Sequence, residues 1–366
     1  MDFETFKEEL ANSVKERLDS RGGEEYSVTL NKVDKANETY DAVTVKPENG
    51  NIGVNISATK AFEEYENGRD FDTIADQVAD ATSRAIEGRP DFDLDAISDY
   101  EQMKQKLSME VVSAERNAEF LENVPHKNME DMAIVYRIVL DSSDDGRSSI
   151  LVTNKMLESY GITAEQLHAD AMAIAPEVRP AVIQGMSEVM AEMMGAEQAE
   201  MLGLGPVPDE PIYVATVPDK VQGASVLAYQ NFMDEAAEKL GGDFYILPSS
   251  IHEILLVKDN GQFDRAALEQ MVREVNATQV APEDKLTDSV YHYDSKEKVF
   301  ELAEKFEVRA QERDVIKSPE KEETREGEHE EKPSTLAKLK AEKEKIAKQP
   351  KKDPVDKHKS KNGPEL

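Results

Sequence analysis

The sequence predicts an α+β fold of repeated helix/β-hairpin/helix units, with mainly antiparallel sheet and a disordered, charged C-terminal tail. Three stretches alternate apolar and polar residues on both sides of a turn-forming break, and segments with a 3.6-residue apolar period flank each of them. This order is typical of α+β layers. We divide the chain into an N-terminal lobe (1–100), a C-terminal lobe (101–316) and a lysine-rich tail (317–366).

The N-terminal lobe begins with an amphipathic helix, "DFETFKEELANSVKERL", whose apolar residues recur near every third or fourth position. "YSVTLNKVDKANETYDAVTVK" alternates around an Asp/Asn-rich break and predicts a β-hairpin, and "IGVNIS" predicts a further strand. An acidic helix that ends at Gly68 follows. The last helix of this lobe begins after Asp70 or Asp72 as its N-cap and ends at Gly88.

The C-terminal lobe opens with a helix that leads into a strand between residues 91 and 112, and then a short helix that ends near Pro125. "DMAIVYRIVLDSSDDGRSSILVTN" predicts the second hairpin, with an Asp-Asp-Gly turn. Thr163 and Gln166 form a capping box at the start of the next helix. A methionine-rich helix and the Gly/Pro-rich linker "LGLGPVPDEP" come after it.

Beyond the linker, "PIYVATV" predicts a strand, "GASVLAY" has a strand-like apolar start, and "NFMDEAAEKLGG" predicts a helix. "DFYILPSSIHEILLV" predicts the third hairpin, with its bend at Pro248-Ser249-Ser250. The helix "DRAALEQMVREVN" follows. After about residue 317 the chain is charged and of low complexity, which predicts disorder, with a short helix at 335–348 as an alternative inside it.

Composition excludes several classes of site and of protein. The chain has no cysteine, which rules out disulfides, thiol nucleophiles and Cys-ligated zinc. Its acidic N-terminus lacks the features of a secretory signal, and its apolar runs are too short to span a membrane, so we expect a cytoplasmic protein with no membrane contact. We expect no cofactor.

The negative charge is unevenly distributed. The net charge is −32, whereas the last 49 residues hold 13 Lys+Arg and 12 Asp+Glu, so residues 1–317 carry −33. Such a body repels nucleic acid phosphates. From residue 332 onward there are 11 lysines and 5 acids, so nucleic acid contact is expected only through this basic tail. The tail has neither arginine nor aromatic residues there, which argues against sequence-specific readout.

Ser250, His252 and Glu253 are the candidates for a hydrolytic centre in the third hairpin. Side chains alternate between the two faces of a strand, so Glu253 is not expected to orient the imidazole of its neighbour. A Gly-x-Ser-x-Gly nucleophile elbow is also missing from the sequence. We therefore favour a structural role for this segment over catalysis.

Glu165, His168 and His292 are the candidates for a metal site. Glu165-x-x-His168 places both side chains on one helical face, a spacing that di-iron bundle proteins use in two copies, whereas this chain has one. We favour solvent exposure over metal binding. The methionine-rich helix suits an adaptable binding groove, but we expect its side chains to fill the core.

Four blocks carry a family resemblance: "AIVYRIVL", "ILVTNKMLESYGIT…LH", "GASVLAY" and "DFYILPSSIHEILLV…MVREVNATQVAPEDKLTDSVYHYD". In this order they resemble the bacterial family catalogued as domain of unknown function 5688, over nearly all of residues 1–310. The resemblance implies no activity or catalytic residues, and only an association with mobile genetic elements.

The sequence thus favours a non-enzymatic factor that binds a protein partner, with a link to mobile genetic elements implied by the resemblance. Two alternatives stay open. The acidic body suits a DNA mimic that inhibits a DNA-binding protein. A hydrolytic or metal-dependent enzyme that uses His252 would require the histidines and a carboxylate to meet in one pocket.

Overall fold

Helices and antiparallel strands alternate along the part of the chain that the structure describes, which confirms the α+β prediction. The computed structural model describes residues 1–22, 25–48, 50, 53–87, 94–143, 146–202, 205 and 207–317. The chain divides into two units, Met1–Glu312 and Arg313–Leu366. The predicted tail and its helix at 335–348 lie outside the described residues, apart from Lys317. The division into lobes at residue 100 stays a prediction.

The described helices follow the predicted order for most of the chain. The α-helices are α1 (Phe3–Ser20), α2 (Ala58–Glu66), α3 (Phe71–Glu87), α4 (Leu94–Ile97), α5 (Tyr100–Lys104), α6 (Ala118–Glu122), α7 (Asn154–Tyr160), α8 (Ala164–Val178), α9 (Met186–Met194), α10 (Ala196–Leu202), α11 (Phe232–Leu240), α12 (Arg265–Thr278) and α13 (Ala303–Lys317). The 3-10 helices are Gly223–Ala228 and Pro282–Asp284.

The described strands build three sheets, and every described pairing is antiparallel. The strands are β1 (Tyr26–Lys35), β2 (Glu38–Pro47), β3 (Val54–Ser57), β4 (Leu107–Ser113), β5 (His126–Met129), β6 (Met132–Ser143), β7 (Gly146–Leu151), β8 (Val182–Gly185), β9 (Ile212–Thr216), β10 (Phe244–Leu247), β11 (Ile254–Lys258), β12 (Tyr291–Asp294) and β13 (Val299–Leu302). All three predicted hairpins, β1–β2, β6–β7 and β10–β11, are present. The turn residues Asp144 and Asp145 lie outside the described residues.

The first sheet, β1-β2-β3, packs against the three N-terminal helices. α1 begins at the predicted place because the side chain of Asp2 caps it by accepting from the backbone N–H of Thr5, at 2.9 Å. Its apolar stripe is buried, which confirms the predicted period. The buried residues of this stripe are Phe6, Leu10, Val14 and Leu18. α3 is capped by Asp70, which accepts from the backbone N–H of Thr73.

The second and third sheets share the largest apolar core of the described residues. The second sheet has the order β4-β6-β5, with β7 also paired to β6, and the third has the order β13-β12-β10-β11-β9-β8. Residues of both sheets, of α8 and α11 and of the 3-10 helix Gly223–Ala228 form this core. On the third sheet, α12 covers a second, smaller core.

Arg137, which interrupts the apolar run of β6, is held by an ion pair. Its Nε lies 2.8 Å from Oε1 of Glu110 on the neighbouring strand β4. Every residue of β4 is buried, and the side chain of Glu110 is only 3 % exposed. A charge at this depth requires a partner, so the pair explains how the strand tolerates a glutamate.

The prediction of a strand at "GASVLAY" is wrong, because Gly223–Ala228 is a 3-10 helix in which every residue is buried. Gly223 donates its N–H to the carbonyl oxygen of His252 at 2.9 Å. A Cβ on residue 223 would overlap Thr216 Oγ1 and that same oxygen. The segment is apolar because it is enclosed on all sides, and a short buried run does not distinguish a strand from a helix.

None of the described helices combines the length and the apolar content that crossing a membrane requires. β5 and β8 were not predicted, and neither were β12, β13, α7 and α13. The first two are strands of four residues with polar or mixed sequences, so alternation is too short in them to be recognised.

Candidate functional site

His252, Ser250 and Glu253 lie in the loop that connects β10 and β11, so the argument from strand alternation does not apply to them. Nδ1 of His252 accepts from the backbone N–H of Gln222 at 3.1 Å, and Nε2 lies 3.1 Å from Oδ1 of Asp284. An N–H can only donate, so the proton of the neutral imidazole is on Nε2 and is donated to Asp284. Both ring nitrogens are therefore occupied by structural partners.

Ser250 does not face the imidazole as a nucleophile would. Its hydroxyl accepts from the backbone N–H of His252 at 3.0 Å, and its backbone bridges to Lys285. The side chain of Glu253 is exposed to solvent. These contacts form a loop anchor, and they do not assemble a Ser–His–acid triad.

His168 and Glu165 both lie on α8, but they contact different groups. Nε2 of His168 lies 3.0 Å from the ammonium of Lys127, and Nδ1 lies 2.9 Å from the hydroxyl of Tyr136. Burial lowers the pKa of His168, and the nearby ammonium lowers it further. Glu165 is exposed at the helix N-terminus, where its own backbone N–H and the hydroxyl of Thr163 lower the pKa of its carboxyl group.

His292 is fully buried on β12. Its Nε2 lies 3.1 Å from Oδ2 of Asp259, its ring stacks on Phe306 at 3.5 Å between centroids, and it meets the ring of Tyr245 edge-on. The three candidate histidines thus have three separate sets of partners. Within the described residues, no three His, Asp or Glu side chains are placed to hold a metal ion.

A polar pocket of about 280 Å³ lies where the β5–β6 turn meets the loop before β12. The carboxylate of Asp131 accepts from the hydroxyls of Thr287 at 2.7 Å, Ser289 at 2.9 Å and Tyr291. Asn276 donates its amide to the carbonyl oxygen of Thr287. These polar groups bind each other, so we interpret this pocket as a junction between the second and third sheets.

A larger cavity of about 410 Å³ lies between the C-terminal half of α8 and the start of α11. Its lining combines apolar side chains, such as Met172 and Phe232, with two carboxylates, Glu177 and Glu235. Neither His252 nor His292 lines this cavity or the polar pocket. The convergence that an enzyme using these histidines would require is not found in either space.

The comparison with known families agrees with the sequence blocks. The family model described as "Family of unknown function (DUF5688)" matches residues 3–295. The chain belongs to the DUF5688 family. The match extends through β12 and ends before β13 and α13. No curated protein and no solved structure matches the chain.

Among the residues that the structure describes, exposed methionines are concentrated on α9 and α10 of this DUF5688 chain. α9 has no buried residue. Four methionines are exposed on the two helices, and we call them the methionine face; they are Met190 (44 %), Met193 (82 %), Met194 (41 %) and Met201 (84 %). The expectation that these side chains fill the core is wrong. Their spacing predicted an apolar face correctly, but not that the face is left open to solvent.

The helix that carries most of this face is fixed at its N-terminus. Glu188 accepts from the backbone N–H of Gly185 at 3.1 Å, and buried Glu210 accepts from the N–H of Ser187 at 3.2 Å. Carboxylates at this end also suit the helix dipole. α9 ends at Gly195, whose φ of 82° is readily adopted only by glycine, and the chain then enters α10. The part of the methionine face that lies on α9 is thus displayed on a helix that is anchored at its N-terminus.

Proposed function

We propose that this DUF5688 protein is a non-enzymatic interaction factor that binds a partner protein through the methionine face. The observation that carries the proposal is the exposure of Met193 and Met201, at 82 % and 84 %. Clusters of exposed large apolar side chains mark interaction surfaces in soluble proteins, and three of the four exposed methionines lie along one side of α9. Thioether side chains are flexible and polarizable, so they adapt to the shape of a bound surface.

The contacts of the candidate histidines favour this proposal over an enzyme. Each ring of His252 and His168 has both nitrogens engaged by neighbouring groups, so neither is free to take a proton from a substrate. His292 is buried beneath α13 side chains, with Phe306 stacked on its ring. The link to mobile genetic elements stays a prediction.

One feature of α3 argues against the DNA-mimic alternative. Asp72, Asp76 and Asp80 recur every four residues on this helix, a regular row of the kind that could imitate phosphates. Arg17 pairs with Asp72 at 2.9 Å and with Asp76 at 2.6 Å, and Arg21 pairs with Asp80. Because Arg17 of α1 and Arg21, the C-cap of that helix, pair with all three aspartates, they reduce the negative charge that this row presents to a DNA-binding protein.

The test is a quantitative comparison of proteins that co-purify with three forms of the full chain from lysate of its native cells. The forms are the wild type, the double variant Met193→Gln/Met201→Gln, and the control Val308→Gln, which alters an exposed apolar residue of α13. We expect a specific set of proteins to be retained by the wild type and the control and lost from the double variant. Equal retention by all three forms would contradict the proposal.

A further inference from the structure

The segment around the methionine face is strongly acidic. From residue 182 to residue 210 the sequence contains six Asp and Glu residues and no Lys or Arg. Glu192 and Glu200 are exposed on the same helices as the methionines. Carboxylates beside apolar side chains, with no cation in the segment, favour a ligand that combines apolar and positively charged groups.

Lys220, a described cation beside Glu192, is only loosely engaged. Nζ of Lys220 lies 3.9 Å from Oε2 of Glu192, both side chains are more than half exposed, and Glu192 also accepts from the amide of Gln184 at 2.6 Å. An exposed ion pair of this length contributes little to stability. A ligand cation could therefore take the place of Lys220 at Glu192 with little loss.

The shape of the face suits a helix. Met190, Met193 and Met194 are spaced by three and four residues on α9, so they lie along one side of that helix. α10 follows α9 directly after Gly195, and its Ala199 is buried. An amphipathic partner helix binds such a surface with apolar side chains at the same spacing. Its remaining side chains would then meet the surrounding carboxylates.

Charge also distinguishes this ligand from two other occupants. A second copy of the chain would bring its own acidic segment against Glu192 and Glu200, and like charges across an interface oppose association. An anionic bilayer surface would be repelled for the same reason. Basic side chains on the occupant remove both penalties.

We infer that the methionine face binds a lysine- or arginine-rich amphipathic helix of a partner protein, with its apolar stripe on the methionines and its cations on Glu192 and Glu200. This inference rests on the proposed function and names the class of the partner. The carboxylates steer the basic helix toward the face, and the thioethers supply the contact area.

The experiment measures the Kd of fluorescent peptides for the full chain by anisotropy, at low and at physiological salt. The first probe is a helix of about 18 residues made of leucine and lysine, with leucine at i, i+3, i+4 and i+7. The second has the same composition in an order that breaks the apolar stripe. The third replaces every lysine of the first with glutamate.

Two pairs of variants separate the apolar and the charged contributions. Met193→Gln/Met201→Gln is compared with Val308→Gln, and Glu192→Gln/Glu200→Gln is compared with Glu9→Gln/Glu16→Gln, which removes the same charge from exposed positions of α1. All the substituted side chains are exposed, so the variants are expected to fold, and circular dichroism checks this for each of them.

We expect the leucine/lysine helix to bind the wild type. Its Kd should rise at least about tenfold for the double variant Met193→Gln/Met201→Gln and several-fold for the double variant Glu192→Gln/Glu200→Gln. The salt dependence should weaken in the Glu192/Glu200 pair, and both controls should stay within about twofold of the wild type. The reordered peptide should bind at least about tenfold more weakly than the first.

Two results would overturn the inference, and they differ in what they mean for the proposed function. In the first result, the glutamate peptide or the reordered peptide binds the wild type as tightly as the first peptide does, and its binding is weakened equally by Met193→Gln/Met201→Gln. The face then binds protein, but the class of partner is wrong. If the Met193→Gln/Met201→Gln double variant binds every peptide as tightly as the wild type does, any binding reflects bulk charge. The proposed use of the methionine face then fails as well.

Discussion

Gly223→Ala tests how the 3-10 helix Gly223–Ala228 is held against the β10–β11 loop. The backbone of Gly223 does not have a positive φ, so alanine is allowed there by conformation and the effect is one of space alone. The added Cβ would overlap Thr216 Oγ1 and the carbonyl oxygen of His252, and it would lie 2.9 Å from Thr216 Cα. Two of these three contacts are backbone atoms, so no side-chain rotation relieves the overlap.

The expected cost follows from the contacts that must shift. The carbonyl oxygen of His252 accepts from the N–H of Gly223 at 2.9 Å and from the hydroxyl of Thr216 at 2.7 Å. Each of these hydrogen bonds contributes about 1 kcal/mol net. Overpacking of a buried site adds about 2 kcal/mol. We therefore expect Gly223→Ala to lower the free energy of unfolding by about 4 kcal/mol, a large part of the stability of a typical domain.

The assay is urea unfolding followed by far-ultraviolet circular dichroism and by tyrosine fluorescence, since the chain has no tryptophan. Gly205→Ala is the matched control, because a Cβ there meets no atom within 4 Å. The control should leave the free energy of unfolding unchanged or raise it by at most about 1 kcal/mol. If Gly223→Ala unfolds at the same urea concentration as the control, the described packing of this helix is wrong.

Three further predictions concern buried polar groups. His252→Ala should cost about 1–3 kcal/mol because it leaves a backbone N–H without its acceptor, whereas His252→Asn should recover part of the loss; urea midpoints compare the two. Asp131→Ala should cost about 2–3 kcal/mol by removing the acceptor of three hydroxyls, and Asp131→Asn should cost less in the same assay. Burial raises the pKa of Tyr136 and of Tyr245 to about 12 in the folded chain. In the unfolded chain tyrosine ionises near pH 10, so between about pH 10 and pH 12 only the unfolded chain loses these protons. The free energy of unfolding should therefore be unaffected by these tyrosines below pH 10 and fall by about 2–3 kcal/mol per tyrosine as the pH rises to 12. Urea unfolding at several pH values measures this fall, which should be smaller in Tyr136→Phe.

Local signals predicted the helices and hairpins well because they act over a few residues. The caps at Asp70 and Thr163 lie within three residues of the N–H groups that they accept from, and the apolar stripe of α1 repeats along its own axis. The contacts of His252 could not be predicted in this way. Its partners, Gln222 and Asp284, are each about 30 residues away in the sequence.

The methionine face shows a second reason why sequence alone falls short. The spacing of Met190, Met193 and Met194 identifies an apolar side of a helix, but burial depends on what the rest of the fold places against it. No buried side chain anchors α9, and the N-terminal carboxylates of Glu188 and Glu210 hold it instead. Such an arrangement leaves no periodic mark that would separate an open face from a buried one.

Peroxide footprinting tests the central claim, that the methionine face is a binding surface, most directly. Met193 and Met201 should be oxidised to sulfoxide well before the fully buried Met109 and Met132, because access to solvent sets the rate. Adding the leucine/lysine helix should slow oxidation at Met193 and Met201 while leaving the exposed Met1 unchanged. Mass spectrometry that finds equal rates at Met193 and Met201 with and without a saturating amount of the bound peptide would contradict the claim.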